Sequence, residues 1–298
     1  NSALAGSIAA SKIKKIKLIH MEAGLRSFDK NMPEEINRRI VDHCSDLLLC
    51  PTEISKKYLI NEGINKKKIF VTGNTIADAI KSIKNKLKFI NKKAGSNHML
   101  LTIHREENTE NFLNLKIIID ECIKISKKEK LKIIFPIHPK TKKLIKKIKY
   151  DKKLITLKKP LDYIEFLTLM RKSRIVISDS GGIQEEACIL KVPLITVRNS
   201  TERPETILIG CNILSKVSKK RISKDAEILL NRKIKWKTPY GNGTAAIKSF
   251  NTQENYQGDP SIEEHTIKSE DYLAISQLDL KVLFNEIKDE LDNLKSKY

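Results

Sequence analysis

Ile175-Val-Ile-Ser-Asp-Ser-Gly-Gly-Ile-Gln-Glu-Glu-Ala187 decides how this 298-residue chain folds. Arg174 to Ser178 has the β-branched character of a short strand, and from Ile183 the apolar spacing becomes helical. Asp179, Ser180, Gly181 and Gly182 lie between the two. A pair of glycines at a strand-to-helix junction lets backbone N–H groups approach a ligand with no Cβ in the way. The helix that follows offers unpaired N–H groups and the positive end of its dipole, which suits a phosphate. Glu185 and Glu186 come one turn later, where a carboxylate reaches a ribose hydroxyl. An ordinary capped βα turn has much the same residues, so the choice falls to the rest of the chain.

On both sides of this turn, strands end in polar loops. Met99 to Ile103 leads into His104-Arg-Glu-Glu-Asn108, and Phe112 to Ser126 is an amphipathic helix. Lys132 to Ile137 ends in His138-Pro139, Leu154 to Leu157 is a further strand, and Asp162 to Arg171 a helix. Beyond the turn, Leu194-Ile-Thr-Val197 runs into Arg198-Asn-Ser-Thr-Glu-Arg-Pro204. Nearer the start, Ala3 to Ala10 is helix-permissive. Lys17 to His20 is a strand, and Met21 to Ser27 is the loop at its carboxyl end. Pro33 suits the first turn of a helix, with Glu34 and Glu35 favoured beside its N-terminus. Ile36, Ile40, Val41 and Cys44 form the expected buried stripe of that helix. Asp46 to Cys50 and Ile69 to Thr72 complete a first series of strands. The alternation predicts α/β structure, with parallel sheets, crossover helices and ligand groups at the strand carboxyl ends.

Residues 84–96 are polar and lysine-rich and read as a linker. The expected division is a first half over 1–83, a second over 97–245 and an acidic tail over 246–298. Within the tail, Asn251 to Pro260 reads as a polar loop. Leu280, Leu283, Phe284, Ile287, Leu291 and Leu294 form one stripe at helical spacing.

Hydrophobic residues make up 40% of the chain, the level of a globular protein. No apolar run approaches the ~20 residues of a membrane span. The net charge of +21 comes from 47 lysines and only 10 arginines, and residues 251–298 carry −6 against +27 for residues 1–250. Nucleic-acid surfaces favour arginine interleaved with aromatics, and aromatics are 5% here, so nucleic acid is not the expected partner. The charge favours an anionic substrate. Cys44, Cys50, Cys122, Cys188 and Cys211 are odd in number, lack metal-ligand spacing and sit among apolar neighbours, which predicts reduced core thiols in a cytoplasm. The chain starts at Asn1 with neither methionine nor a signal-peptide pattern and reads as N-terminally incomplete.

Taken together, the loops form a pattern. His20-Met-Glu-Ala-Gly-Leu-Arg26, Met32-Pro-Glu-Glu-Ile-Asn-Arg38, Thr72-Gly-Asn-Thr75, His104-Arg-Glu-Glu-Asn108, Asp179-Ser-Gly-Gly-Ile-Gln-Glu-Glu-Ala187 and Arg198 through Thr201-Glu-Arg-Pro-Glu205 occur in this order. The set closely resembles the non-hydrolysing UDP-N-acetylglucosamine 2-epimerases. That resemblance implies two Rossmann-like, doubly wound domains in the glycosyltransferase-B arrangement, with the UDP-sugar in the cleft between them. It implies interconversion of UDP-N-acetylglucosamine and UDP-N-acetylmannosamine by elimination of UDP to a 2-acetamidoglucal and re-addition, with no cofactor and no metal. It assigns Glu22 and Glu34 as catalytic carboxylates, with His104 beside the departing diphosphate. UDP falls to Phe166 at the uracil, to Ser180, Gly181 and Gly182 at the phosphates, to Glu186 at the ribose and to Arg203. A second, allosteric UDP-sugar would contact Arg105 and His138, and a homodimer is the expected assembly.

The chain departs from the family pattern at both ends. The family's first strands, with an arginine for the diphosphate and an aspartate that would lie just before Asn1, are not in this sequence, and the family normally ends in a shorter helix returning to the first domain. The alternatives are a 2-epimerase of a modified UDP-sugar, such as a diacetamido-uronic acid or a dideoxy sugar, and an inactive UDP-sugar-binding fragment.

Overall fold

The glycine turn follows the fourth position of a parallel sheet whose order fixes where a ligand binds. The computed structural model describes residues 1–13, 16–83, 97–137 and 139–256. Its larger sheet runs β6-β5-β4-β7-β8-β9, with β4 at His98–Thr102, β5 at Lys132–Pro136, β6 at Ile155–Lys158, β7 at Val176–Ser178, β8 at Leu194–Val197 and β9 at Asn212–Ser215. Counted from β4, this is the 3-2-1-4-5-6 order of dinucleotide-binding folds. All five pairings are parallel. β7 and β8 are buried along their whole length, because helices cover both faces. One face packs Met99, Leu101, Ile133, Phe135, Ile177 and Ile195 against the helices Phe112–Glu129 and Arg221–Asn231. The other packs Leu100 and Val176 against Ile183 and Ala187 of the helix Gly181–Leu190 and Met170 of the helix Tyr163–Lys172.

The smaller sheet runs β1-β2-β3, from Ile19–Met21, Leu47–Cys50 and Ile69–Val71, also parallel. Local signals set the helix starts. Thr52, Asn74, Asn111 and Asp162 each accept a backbone N–H of the helix they precede.

The structure differs from the sequence expectations in several places. Helix Gly181–Leu190 starts two residues before Ile183, so both glycines are its first turn rather than its approach. β9 and the helices Thr75–Ser82, Pro204–Leu208 and Arg221–Asn231 were not expected. In the helix Pro33–Cys44, Val41 is buried, Cys44 is half-buried, and Ile36 and Ile40 are 53% and 36% exposed. The inward face of this helix carries Glu35 and Asp42 instead, two turns apart, because buried backbone and arginine groups await them there. Cys50, Cys122, Cys188 and Cys211 are buried.

The stretch expected as a loop from Asn251 is helical to Asn255, the end of the helix Ala245–Asn255. Asp78 caps this helix, accepting from the N–H groups of Ala245 (3.0 Å) and Ala246 (3.2 Å). Lys81 donates to the Gly243 carbonyl (3.1 Å), and the Tyr256 hydroxyl to the Asp46 carbonyl (3.0 Å). The chain therefore returns from the second sheet to the first. The linker read at 84–96, His138 and the tail stripe from Leu280 to Leu294 lie outside the described residues. Among the described residues no helix is long and apolar enough to cross a membrane.

Candidate active site

In an open parallel sheet the ligand crevice lies where the strand order reverses, here between the carboxyl ends of β4 and β7. Asp179, fully buried just after β7, ties the two ends together. Its carboxylate accepts from the N–H groups of His104 (2.9 Å) and Arg105 (3.1 Å) and from Asn108 Nδ2 (3.0 Å). This presents the exposed His104 at the crevice rim, its Nε2 2.5 Å from Thr102 Oγ1. Ser180 N-caps the helix Gly181–Leu190, and among the described residues no side chain takes up its first-turn donors. The two glycines differ in kind. A Cβ on Gly181 would meet Glu202 Oε1 at 2.5 Å, whereas a Cβ on Gly182 would meet nothing within 4 Å. Protein packing therefore explains Gly181. Gly182 faces open space, as a backbone meant to be approached from outside does.

Behind the turn lies a buried arginine–carboxylate cluster from the loop after β8. Arg203 donates through Nε to Glu185, and its other nitrogens lie 3.8 Å from Glu202 and 3.9 Å from Glu22. Arg198 donates to Glu202 at 3.0 Å, and Arg38 reaches Glu202 from the first half at 3.7 Å. Burial alone would raise the Glu202 pKa, but Arg203, Arg198 and Arg38 outweigh it and hold the carboxyl at about 2. Glu185 is buried with less compensation. Burial lifts it to about 7 against the pull of Arg203, and Glu22 and Glu205 add to the rise. Burial lowers the proton affinity of Arg203, but Glu185, Glu202, Tyr240 and Glu22 raise it by more, so the guanidinium stays charged. One nitrogen on each of Arg198 and Arg203 (Nη2 and Nη1) is buried without a hydrogen-bond partner among the described residues.

The first half supplies the facing wall. Glu22, just past β1, has φ +61°, a conformation sparsely used by residues other than glycine and one that concentrates at functional sites. Its carboxylate is half-exposed and turned toward Arg203. The loop carrying it is pinned from below. Asp42, fully buried, pairs with His20 (2.6 Å) and Arg26 (2.6 Å) and accepts the Gly24 N–H (3.2 Å), and Glu62 grips Arg26 through two nitrogens at 2.8 and 2.6 Å. Glu35 accepts from the Ser27 N–H (2.8 Å), the Ser27 hydroxyl (2.9 Å) and the Phe28 N–H (3.1 Å). Its neighbour Glu34 is exposed on the first turn of the helix Pro33–Cys44, its charge felt by Arg38.

Glu22, Arg203 and the turn at Ser180–Gly182 thus share one cleft. Glu186 lies one turn into the helix, its pKa lifted to about 7 by burial and moderated by a hydrogen bond from Tyr163. Phe166 is half-buried, packed between the Ile183–Ala187 face and Ile80 with Leu167. Asn74, Arg38, Asp42, Arg198 and Glu202 were not singled out from the sequence, Glu35 was read only as a helix-start carboxylate, and Glu185 only beside Glu186 at the ribose. Six of these seven, all but Asp42, stand inside the quoted motifs, but only the fold shows which of them meet.

A doubly wound six-stranded parallel sheet facing a three-stranded parallel sheet across this cleft makes the chain an α/β protein of the glycosyltransferase-B type. A model of the UDP-N-acetylglucosamine 2-epimerase family matches residues 1–252, and the chain belongs to that family. It is 49% identical over 257 residues to the UDP-N-acetylglucosamine 2-epimerase of Methanocaldococcus jannaschii, covering 82% of this chain and 70% of that one. A crystal structure of the M. jannaschii UDP-GlcNAc 2-epimerase in complex with UDP-GlcNAc and UDP aligns with a TM-score of 0.76 at 46% identity, over 85% of this chain and 72% of that one. The UDP-2,3-diacetamido-2,3-dideoxy-D-glucuronate 2-epimerase of Pseudomonas aeruginosa is 35% identical over 254 residues, covering 83% and 70% respectively.

Proposed function

We propose that this chain is an isomerase that interconverts UDP-N-acetylglucosamine and UDP-N-acetylmannosamine, supplying precursors for cell-surface polysaccharide. The observation that carries the proposal is the meeting of Glu22 and Arg203 across the cleft, beside a helix N-terminus whose second glycine faces open space. The higher identity to an N-acetylglucosamine enzyme than to a diacetamido-uronate enzyme favours the simpler sugar.

The chemistry follows from charge. The C2 proton is poorly acidic, so the C1–O bond to UDP must stretch and place positive charge on the ring as the proton leaves. The C–H electron pair becomes the C1=C2 bond of the glucal, and the C1–O pair leaves on UDP. Carboxylates at Glu22 and Glu34 stabilise the ring cation and exchange the proton on the two faces of C2, which inversion requires. The departing diphosphate gains negative charge. The N–H groups at Ser180 to Gly182, together with Arg203 and His104, bind it more tightly in the transition state than in the ground state. Glu186 accepts from the ribose, and Phe166 lies against the uracil. Re-addition of UDP with a proton on the opposite face completes the turnover. We assign the enzyme to the cytoplasm as a homodimer, with Arg105 and His138 contacting a second, activating UDP-sugar.

Incubation with UDP-N-acetylglucosamine in deuterated water, followed at C2 by NMR, tests the assignment. Deuterium at C2 with a growing manno signal is the expected result. Exchange on a diacetamido-uronate sugar alone would transfer the site to that substrate. UDP binding without exchange on either would mark a binding fragment.

A further inference from the structure

Glu185 takes no part in the chemistry proposed above, yet its carboxylate joins the two halves. It sits one turn into the helix Gly181–Leu190 and is 3% exposed. Its Oε1 accepts from Arg203 Nε and from Asn74 Nδ2 (2.9 Å). Asn74 belongs to the first half, 111 residues away in sequence, where its Oδ1 caps the helix Thr75–Ser82 by accepting the Ile76 N–H (2.9 Å). Its own N–H donates to the Tyr240 carbonyl (3.0 Å), so its position is set by both halves. Arg203 Nη2 faces Glu22 at 3.9 Å, while Nη1, buried and without a hydrogen-bond partner among the described residues, lies 3.8 Å from Glu202.

We propose that Glu185 is a positioning residue that, clamped by Asn74 from the opposite half, fixes the Arg203 guanidinium against Glu22, with its charge beside the leaving diphosphate. The docking of the two halves and the presentation of Arg203 are then a single event, because one carboxylate oxygen serves both. The inference rests on the function proposed above. Glu185 cannot contact the sugar itself, since both its neighbours are protein groups and it is buried. Its ionisation state matters, because only the carboxylate both accepts from Asn74 and neutralises Arg203. The charged and titratable groups facing it are Arg203 and Glu205 from the segment after β8, Glu22 from the loop after β1, and Tyr240. Burial keeps its pKa at about 7, so acidification through that range releases Arg203.

Two substitutions separate the bonds. Glu185→Gln keeps an acceptor for Asn74 and removes the charge opposite Arg203. Asn74→Asp keeps the helix cap and removes the donor to Glu185. In steady-state kinetics on UDP-N-acetylglucosamine, each is expected to lower kcat by about 100-fold, the size of effect expected when a reacting group is displaced by about 1 Å, with KM changed far less. The wild-type pH profile is expected to fall on the acid side near pH 7, the limb to vanish in Glu185→Gln, and Glu185→Asp to restore part of the rate with the limb. A wild type without turnover would overturn the function proposed above. A wild type that turns over, with Glu185→Gln and Asn74→Asp keeping its kcat and its acid limb, would overturn the positioning role alone.

Discussion

Gly181 and Gly182 are adjacent in sequence and opposite in what they tolerate. Gly182→Ala places its methyl in open space on the first turn of a helix, so it is expected to raise stability by about 0.5–1 kcal/mol. If the diphosphate lies over that backbone, the same methyl lowers UDP affinity by about tenfold or more, the equivalent of modest overpacking. Thermal melts and calorimetric titration with UDP measure the two effects separately, and a variant that loses stability contradicts the open-space geometry. At Gly181 the methyl meets Glu202, which three arginines hold in place, so Gly181→Ala is expected to destabilise. Glu202 is itself a stability group. Its carboxyl lies at about 2 rather than near 4.5, worth about 3 kcal/mol by linkage and present above pH 4.5. That contribution is lost as pH falls toward 2. Glu202→Gln is expected to cost a similar amount at neutral pH in urea denaturation, because it leaves the buried Arg198 without its paired carboxylate.

At the scale of elements, the helix Pro33–Cys44 shows why an apolar tally along one helix misplaces its buried face. Ile36, Ile40, Val41 and Cys44 satisfy helical spacing, yet the helix is rotated so that Glu35 and Asp42 point inward. Two ordered demands oppose the apolar stripe: backbone N–H groups at Ser27 and Phe28, and the Arg26 guanidinium. Leaving any of them unpaired costs more than exposing an isoleucine. Ile36→Ser is accordingly expected to change stability by no more than about 0.5 kcal/mol, measured by urea denaturation, whereas burial of Ile36 would give several times that. The returning helix Ala245–Asn255 makes a second test. Asp78→Ala removes the acceptor for its first two N–H groups and is expected to cost about 1 kcal/mol, with faster amide hydrogen exchange confined to that helix.

Across the whole molecule, the buried carboxylates give stability a pH dependence in both directions. Glu185 and Glu186 bind a proton more tightly folded than unfolded, with folded values of about 7, so the stability they lend is complete below about pH 4.5 and is lost as pH rises through 7. Glu202 and Glu121, both at about 2, act oppositely and lose their contribution as pH falls below 4.5. Urea midpoints are expected to fall between about pH 6 and pH 8, and Glu186→Gln, which removes one titration, to narrow that difference. An unchanged difference would place the Glu186 carboxyl in water.

What the sequence determined by itself is local or repeats along the chain. Strand and helix alternation follows from apolar period, the helices begun by Pro33, Phe112 and Asp162 from local residue type and spacing, and the phosphate-type turn from a serine and two glycines after a β-branched run. Those features depend on neighbours a few residues apart, so composition and spacing carry them. Six ordered motifs were enough to mark the family. Only the tertiary structure decided which charges meet. Asn74 and Glu185 are 111 residues apart and share a hydrogen bond, and Arg38, Arg198 and Arg203 converge on one carboxylate. A side chain's charge is written in the sequence, but its burial and its partner belong to the packing of two sheets. The physical reason is that desolvation and Coulomb energy depend on distance in space, which the chain sets only once both halves have closed around the cleft.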